Sequence, residues 1–99
     1  MVKTYSKGRR IEYLAKEHLK KEHLCPVVVR SAGSKTPIDL IGINSITVFC
    51  IQVKYSDKPR KPTKKEIMKI NEVPKGVNRI RRGIWIWCSE DKEFIKYWY

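Results

Sequence analysis

Residues 46–54 have the sequence ITVFCIQVK, and with the shorter stretch IDLIGI at residues 38–43 they decide the fold. β-branched and aromatic residues dominate both segments, which is typical of strands that pack on a core. Only Asn44 and Ser45 separate the two segments, and these residue types favour a tight turn. We therefore predict an antiparallel hairpin whose strands are residues 38–43 and 46–55.

The predicted hairpin brings together three polar side chains of different chemistry. Side chains alternate along a strand, so Gln52 and Lys54 point to the same face of the sheet. A bend at the predicted turn sets Asp39 roughly opposite Cys50, within a residue or two of Gln52. A carboxylate, an amide oxygen and an ammonium group are therefore expected to meet at one edge of the sheet.

The residues before the hairpin predict a helix and one more strand. Ser6 can cap a helix that starts near Lys7 and fades around residues 21–23. Its apolar face recurs at helical spacing at Ile11, Leu14, Ala15, His18 and Leu19. Residues 26–30 are β-branched and predict a short strand, and residues 31–37 predict a polar loop.

The residues after the hairpin predict a second helix and two strands. Residues 56–62 are a basic loop, and Thr63 with Glu66 makes a capping box for a helix over residues 64–73. Residues 75–82 are expected to form a basic connection, and residues 84–88 and 93–98 two strands. The predicted fold is a single α/β domain over residues 1–99, a mixed sheet flanked by two helices in the order α-β-β-β-α-β-β.

The charge of the chain indicates its class of partner. Lys and Arg number 22 against 10 acidic residues, a net charge of +12 in 99 residues. A field this strong suits a polyanion, either nucleic acid or an anionic membrane surface. The alternative is a solvated, lysine-rich surface like that of hyperthermophile proteins, but such surfaces raise Glu together with Lys. Together with the strand content and the polar residues of the hairpin, the charge favours nucleic acid.

The apolar and cysteine patterns predict a cytoplasmic protein. No stretch approaches the length of a membrane span, and no signal-peptide pattern opens the chain. Cys25, Cys50 and Cys88 are odd in number, lie far apart and occupy apolar settings, so they are expected to be buried thiols in a reducing compartment. His18 and His23 stand at i, i+5 without a cysteine pair, so no zinc site is expected.

The polar residues of the hairpin suit phosphodiester hydrolysis. Asp39 and Gln52 offer hard oxygen ligands for Mg²⁺, with Mn²⁺ as a plausible substitute, and the Val53 carbonyl is a plausible extra ligand. A bound metal ion lowers the pKa of a water ligand and stabilises charge in the transition state. Lys54 is expected to orient that water or to neutralise developing charge.

Four segments of the chain resemble a known family. Residues 8–12 (GRRIE), 28–34 (VVRSAGS), 39–40 (DL) and 50–54 (CIQVK) are similar to the archaeal Holliday-junction resolvases. Those enzymes belong to the restriction-endonuclease-like PD-(D/E)xK superfamily, and the resemblance covers roughly residues 7–55. The Asp–Gln–Lys pattern alone is weak, whereas the loop and the acid of the first helix add specificity.

The resemblance implies a role for each matching residue. Glu12 would complete the metal site, Asp39 would be the principal metal ligand and Lys54 the catalytic lysine. Ser31, with Ser34, would belong to a loop that approaches the scissile phosphate. Gln52 departs from the Glu of the family, because its amide keeps an oxygen for the metal but carries no negative charge.

The basic and aromatic residues suggest a DNA surface and a dimer. The residues expected to contact DNA are Lys7, Arg9, Arg10, Arg30, Ser34, Lys35, Lys58, Arg60, Lys61, Lys64 and Lys65. Trp85 and Trp87 share one strand face and, with the aromatic C-terminus, are expected to serve the core and a dimer interface, with base stacking as the alternative. The resemblance also implies a twofold homodimer.

These observations together predict a Mg²⁺-dependent endonuclease that acts on branched DNA, most simply a Holliday junction, in DNA recombination and repair. Two alternatives remain open from the sequence. One is a nuclease of the same superfamily that acts on flapped, linear or single-stranded DNA. The other is a catalytically silent DNA-binding protein that keeps the fold and the charge.

Overall fold

The computed structural model describes the backbone of residues 2–31, 36–74 and 79–99, with side chains from Arg9 onward. Two helices and five strands follow in the order α1 (Val2–Lys21), β1 (Val27–Arg30), β2 (Leu40–Ile43), β3 (Val48–Ser56), α2 (Lys64–Ile70), β4 (Ile80–Cys88) and β5 (Glu93–Trp98). The strands form one sheet in the spatial order β1-β2-β3-β4-β5. The α/β class, with a mixed sheet flanked by helices, is confirmed.

The sheet is mixed because one pair of neighbouring strands runs parallel. β1–β2, β2–β3 and β4–β5 are antiparallel, whereas β3 and β4 are parallel. A parallel pair needs a crossover, which residues 57–79 supply through α2. The end of β1, the start of β2 and the ends of β3 and β4 consequently lie at the same end of the sheet.

Each face of the sheet carries its own apolar cluster. On one face of the sheet, Ala15 and Leu19 of α1 pack in a cluster with Leu40, Ile51 and other apolar residues. On the opposite face, the buried residues are Cys50, Ile70, Val73, Ile84 and Ile86. Cys25, Cys50 and Cys88 are all buried and free, as predicted for small apolar side chains. Within the described ranges, neither helix is long and apolar enough to cross a membrane.

The ends of several elements differ from the prediction. The helix α1 begins at Val2, five residues before Lys7, so Ser6 lies inside the helix and is not its N-cap. The first strand begins one residue later than predicted and β2 two residues later. The capping box at Thr63 is confirmed, but α2 ends at Ile70, before the residue 73 expected.

Residues 80–82 of the predicted basic connection are the start of β4 instead, and residues 75–78 lie outside the described residues. This strand begins at Ile80, four residues earlier than expected, because the Val48 N–H donates to the Arg79 carbonyl at 2.7 Å and parallel pairing with β3 follows. Arg81 stacks on the Trp98 ring, 4.4 Å from its centroid. Arg82 donates to the Val73 carbonyl at 2.8 Å. Both arginines therefore stabilise the fold rather than project from a loop.

Candidate active site

The hairpin between β2 and β3 sets the pairing of the candidate site. Asn44 Oδ1 accepts from the N–H groups of Ile46 at 2.9 Å and Thr47 at 2.8 Å, and the Asn44 N–H donates to the Thr47 carbonyl at 3.0 Å. These bonds put Ser45 and Ile46 at the tip of the turn. The predicted turn at Asn44 and Ser45 was therefore displaced by one residue.

A one-residue displacement of the turn moves the pairing of the strands by two residues. Leu40 pairs with Ile51, so the strands are paired two residues away from the predicted register, and Asp39 precedes the first paired residue of β2. The Asp39 N–H donates to the Ile51 carbonyl at 2.8 Å, and its Oδ2 accepts from the Val53 N–H. Asp39 is therefore bonded to the residues on either side of Gln52, within the residue or two of Gln52 that the sequence predicted.

The carboxylate of Asp39 is fixed against the end of β3. Its Oδ2 accepts from the Val53 N–H at 2.7 Å. The N–H and carbonyl of one strand residue point to the same side, so the Val53 carbonyl also faces the Asp39 side. Burial raises the pKa of Asp39 above its ordinary value, and the charge of Glu12 raises it further, while the Val53 hydrogen bond, Lys54 and Arg30 oppose the rise. Asp39 therefore interacts electrostatically with Glu12, Lys54 and Arg30.

Gln52 is a buried polar residue whose amide oxygen has no protein partner. Its side chain is 8% exposed, and Oε1 makes no hydrogen bond. It lines a pocket of about 250 Å³ together with Lys54, Lys65 and Glu66. A buried acceptor without a protein partner costs stability, so the Gln52 oxygen is available to a ligand.

The ammonium group of Lys54 is held near a carboxylate that the sequence assigned only to a helix cap. Lys54 Nζ lies 4.0 Å from Glu66 Oε2. Arg60 donates two hydrogen bonds to the same carboxylate, at 3.0 Å to Oε1 and 3.1 Å to Oε2. These bonds from Arg60, followed by the Thr63 N–H, lower the pKa of Glu66 despite its burial. Arg60, predicted to contact phosphate, thus supports the residue beside Lys54.

Glu12 lies on α1 and forms an ion pair with Arg30. Arg30 Nε donates to Glu12 Oε1 at 2.7 Å, and the glutamate side chain is 25% exposed. Arg9 and Lys16 share a neighbouring pocket of about 210 Å³ with these two residues. Glu12, the predicted metal ligand, and Arg30, the predicted DNA contact, are therefore bonded to each other in this structure.

Ser31 follows β1 and is hydrogen-bonded to Asp39, the residue before β2. Its N–H donates to the Asp39 carbonyl at 2.8 Å, and its hydroxyl lies 3.2 Å from that of Thr36. The loop serine is thus positioned beside Asp39 through the main chain. Ser34 and Lys35 lie outside the described residues, so their predicted contacts with DNA stay predictions.

The remaining basic residues lie on two sides of the same end of the sheet. Arg9 and Arg10 are exposed on α1, in which Lys7 also lies. The exposed lysines after β3 are Lys58, Lys61, Lys64 and Lys65. The first set lies on α1, on one face of the sheet, and the second set follows β3 into α2, which packs on the other face.

The donor set around Asp39 suits a hard cation only in part. No group of three His, Cys, Asp or Glu side chains placed to hold an ion occurs among the described residues. A set made of Asp39, Gln52 and the Val53 carbonyl contains a single carboxylate, so it is not such a group. The unpartnered Oε1 of Gln52 fits the metal, whereas Glu12 is free to join only if Arg30 releases it.

No protein-family model matches the chain, and a search of curated proteins finds none that matches it.

Proposed function

We propose that this protein is a Mg²⁺-dependent endodeoxyribonuclease of the PD-(D/E)xK type that cuts branched DNA, with the Holliday junction as its substrate. The observation that carries the proposal is the bonding of Asp39 to Ile51 and Val53, the residues on either side of Gln52. It brings a carboxylate near an amide oxygen that has no protein partner, and Lys54 follows Gln52 on the same face of β3. Charge, strand order and the resemblance to archaeal resolvases support the same activity.

Each of these residues has a distinct part in the proposed site. Asp39, Gln52 and the Val53 carbonyl would hold the ion, which when bound supplies a water of lowered pKa and a positive charge beside the scissile phosphate. Asp39 is kept in place by the Val53 N–H, so little reorientation is needed to ligate. Its raised pKa also favours a positive partner, because a nearby cation stabilises the ionised form.

Lys54 would stabilise charge that develops on the phosphate. Its distance of 4.0 Å from Glu66 is too long for a tight ion pair, so the ammonium group can turn toward a phosphate oxygen at little cost. Glu66 would restrict the range of that group. Glu66 is itself held by Arg60, which makes the support rigid.

DNA would follow the basic residues on either side of the site. Arg9 and Arg10 lie on one side, and the exposed lysines of the loop after β3 and of the start of α2 lie on the other. Contacts of this kind bind the phosphate backbone without reading bases. A homodimer would present two such sites to opposite strands of a junction.

The Glu12–Arg30 ion pair favours a second candidate function, a DNA-binding protein without catalytic activity. With Glu12 occupied and Gln in place of an acid, Asp39 is the only uncommitted carboxylate of the predicted ligand set. Such a site would bind Mg²⁺ weakly. The basic surface would remain sufficient for DNA binding.

A substrate panel tests the proposal. Purified protein is incubated with Mg²⁺ or Mn²⁺ and a four-way junction, a flap, a linear duplex or a single strand of matched sequence. The proposal expects cleavage of the junction in preference to the duplex. Equal cleavage of the junction and the duplex contradicts the resolvase assignment but still supports a nuclease. Binding without cleavage of any substrate supports the silent DNA-binding protein instead.

A further inference from the structure

A second pocket opens at the same end of the sheet as the candidate site, on the face that α1 covers. Its volume is about 260 Å³, and its walls come from α1 and the ends of β3 and β4. Tyr55 stands directly beyond Lys54 on β3, and its side chain alternates to the opposite face. The pocket and the proposed catalytic residues are therefore neighbours along one strand but lie on different faces.

Two aromatic rings lie side by side in this pocket. Tyr55 and Trp87 are paired residues of the parallel strands β3 and β4, so they share a face. Trp87 is partly buried and is held by Phe94, whose ring centroid is 5.1 Å away at an angle of 71°. The Tyr55 hydroxyl donates to Asp57 Oδ1 at 2.8 Å. Both rings are therefore held in place before a ligand binds. Trp85 is fully buried and so is inaccessible to a ligand.

The remaining walls combine aliphatic and cationic side chains. Ile11 and Leu14 of α1 close the pocket opposite the strands. Arg10 and Lys92, both exposed, stand at its rim. A ring-lined cavity with aliphatic walls and two cations among its lining residues matches the chemistry of a nucleotide in a strand, because the base has a π-face and its flanking phosphates are anionic.

We propose that this pocket binds one unpaired nucleobase of a DNA strand held at the neighbouring site. The base stacks on Trp87 and Tyr55, and the phosphates beside it lie near Arg10 and Lys92. The inference rests on the DNA-binding part of the proposed function and not on cleavage. It gives a physical preference for branched or single-stranded DNA, since a fully paired duplex offers no base to the pocket without the cost of unstacking.

The test compares strands that differ only in their bases. Affinity is measured for a single-stranded oligonucleotide and for the same strand with several abasic residues, using the wild-type protein and the variants Trp87→Leu and Trp87→Phe. Leu keeps an apolar side chain without a ring, and Phe keeps a ring. Circular dichroism and thermal melting verify that each variant is folded.

The wild type is expected to bind the intact strand about tenfold more tightly than the abasic one, the effect of one stacked base. Trp87→Phe should retain that preference and Trp87→Leu should lose it, with the salt dependence of binding unchanged because no phosphate contact is removed. Arg10→Ala should instead reduce the salt slope by about one.

Two results overturn the inference. One is a wild-type protein that binds intact and abasic strands equally, a comparison that needs no variant. The other is a deoxynucleoside monophosphate that binds as tightly as the strand, which makes the pocket a free-nucleotide site. Base-dependent binding without cleavage supports the base-binding pocket and contradicts the proposed nuclease activity. Cleavage without base preference supports the nuclease activity and contradicts the base-binding pocket.

Discussion

Replacing Gln52 by Met should stabilise the protein while removing its proposed activity. The amide is 8% exposed, and its oxygen has no hydrogen-bond partner in the protein. Met is similar in length and shape but presents no acceptor to the core. The substitution therefore removes the unsatisfied oxygen without opening a large cavity.

The expected size of the effect follows from the cost of the unpaired group. An unsatisfied buried acceptor costs about 1–3 kcal/mol. Allowing for imperfect packing of the thioether, we expect the free energy of unfolding to rise by about 1 kcal/mol. In a domain of this size that gain raises Tm by roughly 4–8 °C. The metal loses a ligand in the same step, so cleavage should fall to background.

Thermal and urea unfolding without metal measure the gain, and junction cleavage with Mg²⁺ measures the loss. Gln52→Glu is the matched control, because it keeps the shape and adds a charge. It should lower stability at neutral pH without metal, since a buried carboxylate beside Asp39 is poorly compensated, and Mg²⁺ should restore it. A Tm for Gln52→Met clearly below that of the wild type would refute the reasoning, because it would mean that the amide oxygen is satisfied in the folded protein.

Three further results are expected. Glu66→Gln keeps the capping box but loses the charged partner of Arg60, so it should cost about 1–2 kcal/mol at neutral pH. The pKa of Glu66 is lowered, so this contribution is present above its ordinary pKa and is lost as pH falls through the lower folded value; a cost that persists at low pH in urea titrations contradicts this assignment. The same variant should slow cleavage by freeing Lys54, with DNA affinity unchanged, and an equal loss of both would argue against positioning. Gly83→Ala places a Cβ 2.9 Å from the Trp98 ring and should lower the free energy of unfolding by about 1–3 kcal/mol in chemical unfolding. An unchanged free energy of unfolding would mean that the ring moves freely and would contradict this prediction.

The sequence predicted the elements of this fold because their patterns are local. β-branched residues, the capping box at Thr63 and the helical spacing from Ile11 to Leu19 each act within one turn or one strand. The start of β4 could not be read in this way. The residues from Ile80 to Arg82 are mostly cationic and resemble a loop, and they become a strand only because β3 offers parallel partners.

The candidate site was predicted in its residues but not in its pairings. The two-residue change in strand pairing arises from the side chain of Asn44, which bonds to Ile46 and Thr47 and recentres the turn. The Glu12–Arg30 ion pair joins residues 18 positions apart. No local pattern encodes such a contact, which depends on how α1 crosses the sheet.

Glu66 shows the same limit for a functional residue. Its capping role was evident from its spacing to Thr63, but its position beside Lys54 follows from the packing of α2 on the sheet. Arg60 was assigned to DNA because it lies in a basic loop. In the folded protein its guanidinium donates a hydrogen bond to the Glu66 carboxylate, which faces the loop.

The central claim is that Asp39 and Gln52 form a metal-dependent nuclease site, and a single-turnover assay tests it most directly. Wild type and Asp39→Asn are compared on one labelled four-way junction with Mg²⁺, and junction affinity is measured in Ca²⁺. The wild type is expected to cut the junction and Asp39→Asn is not, while both should bind it with similar affinity. Cleavage by Asp39→Asn at the wild-type rate would contradict the assigned site.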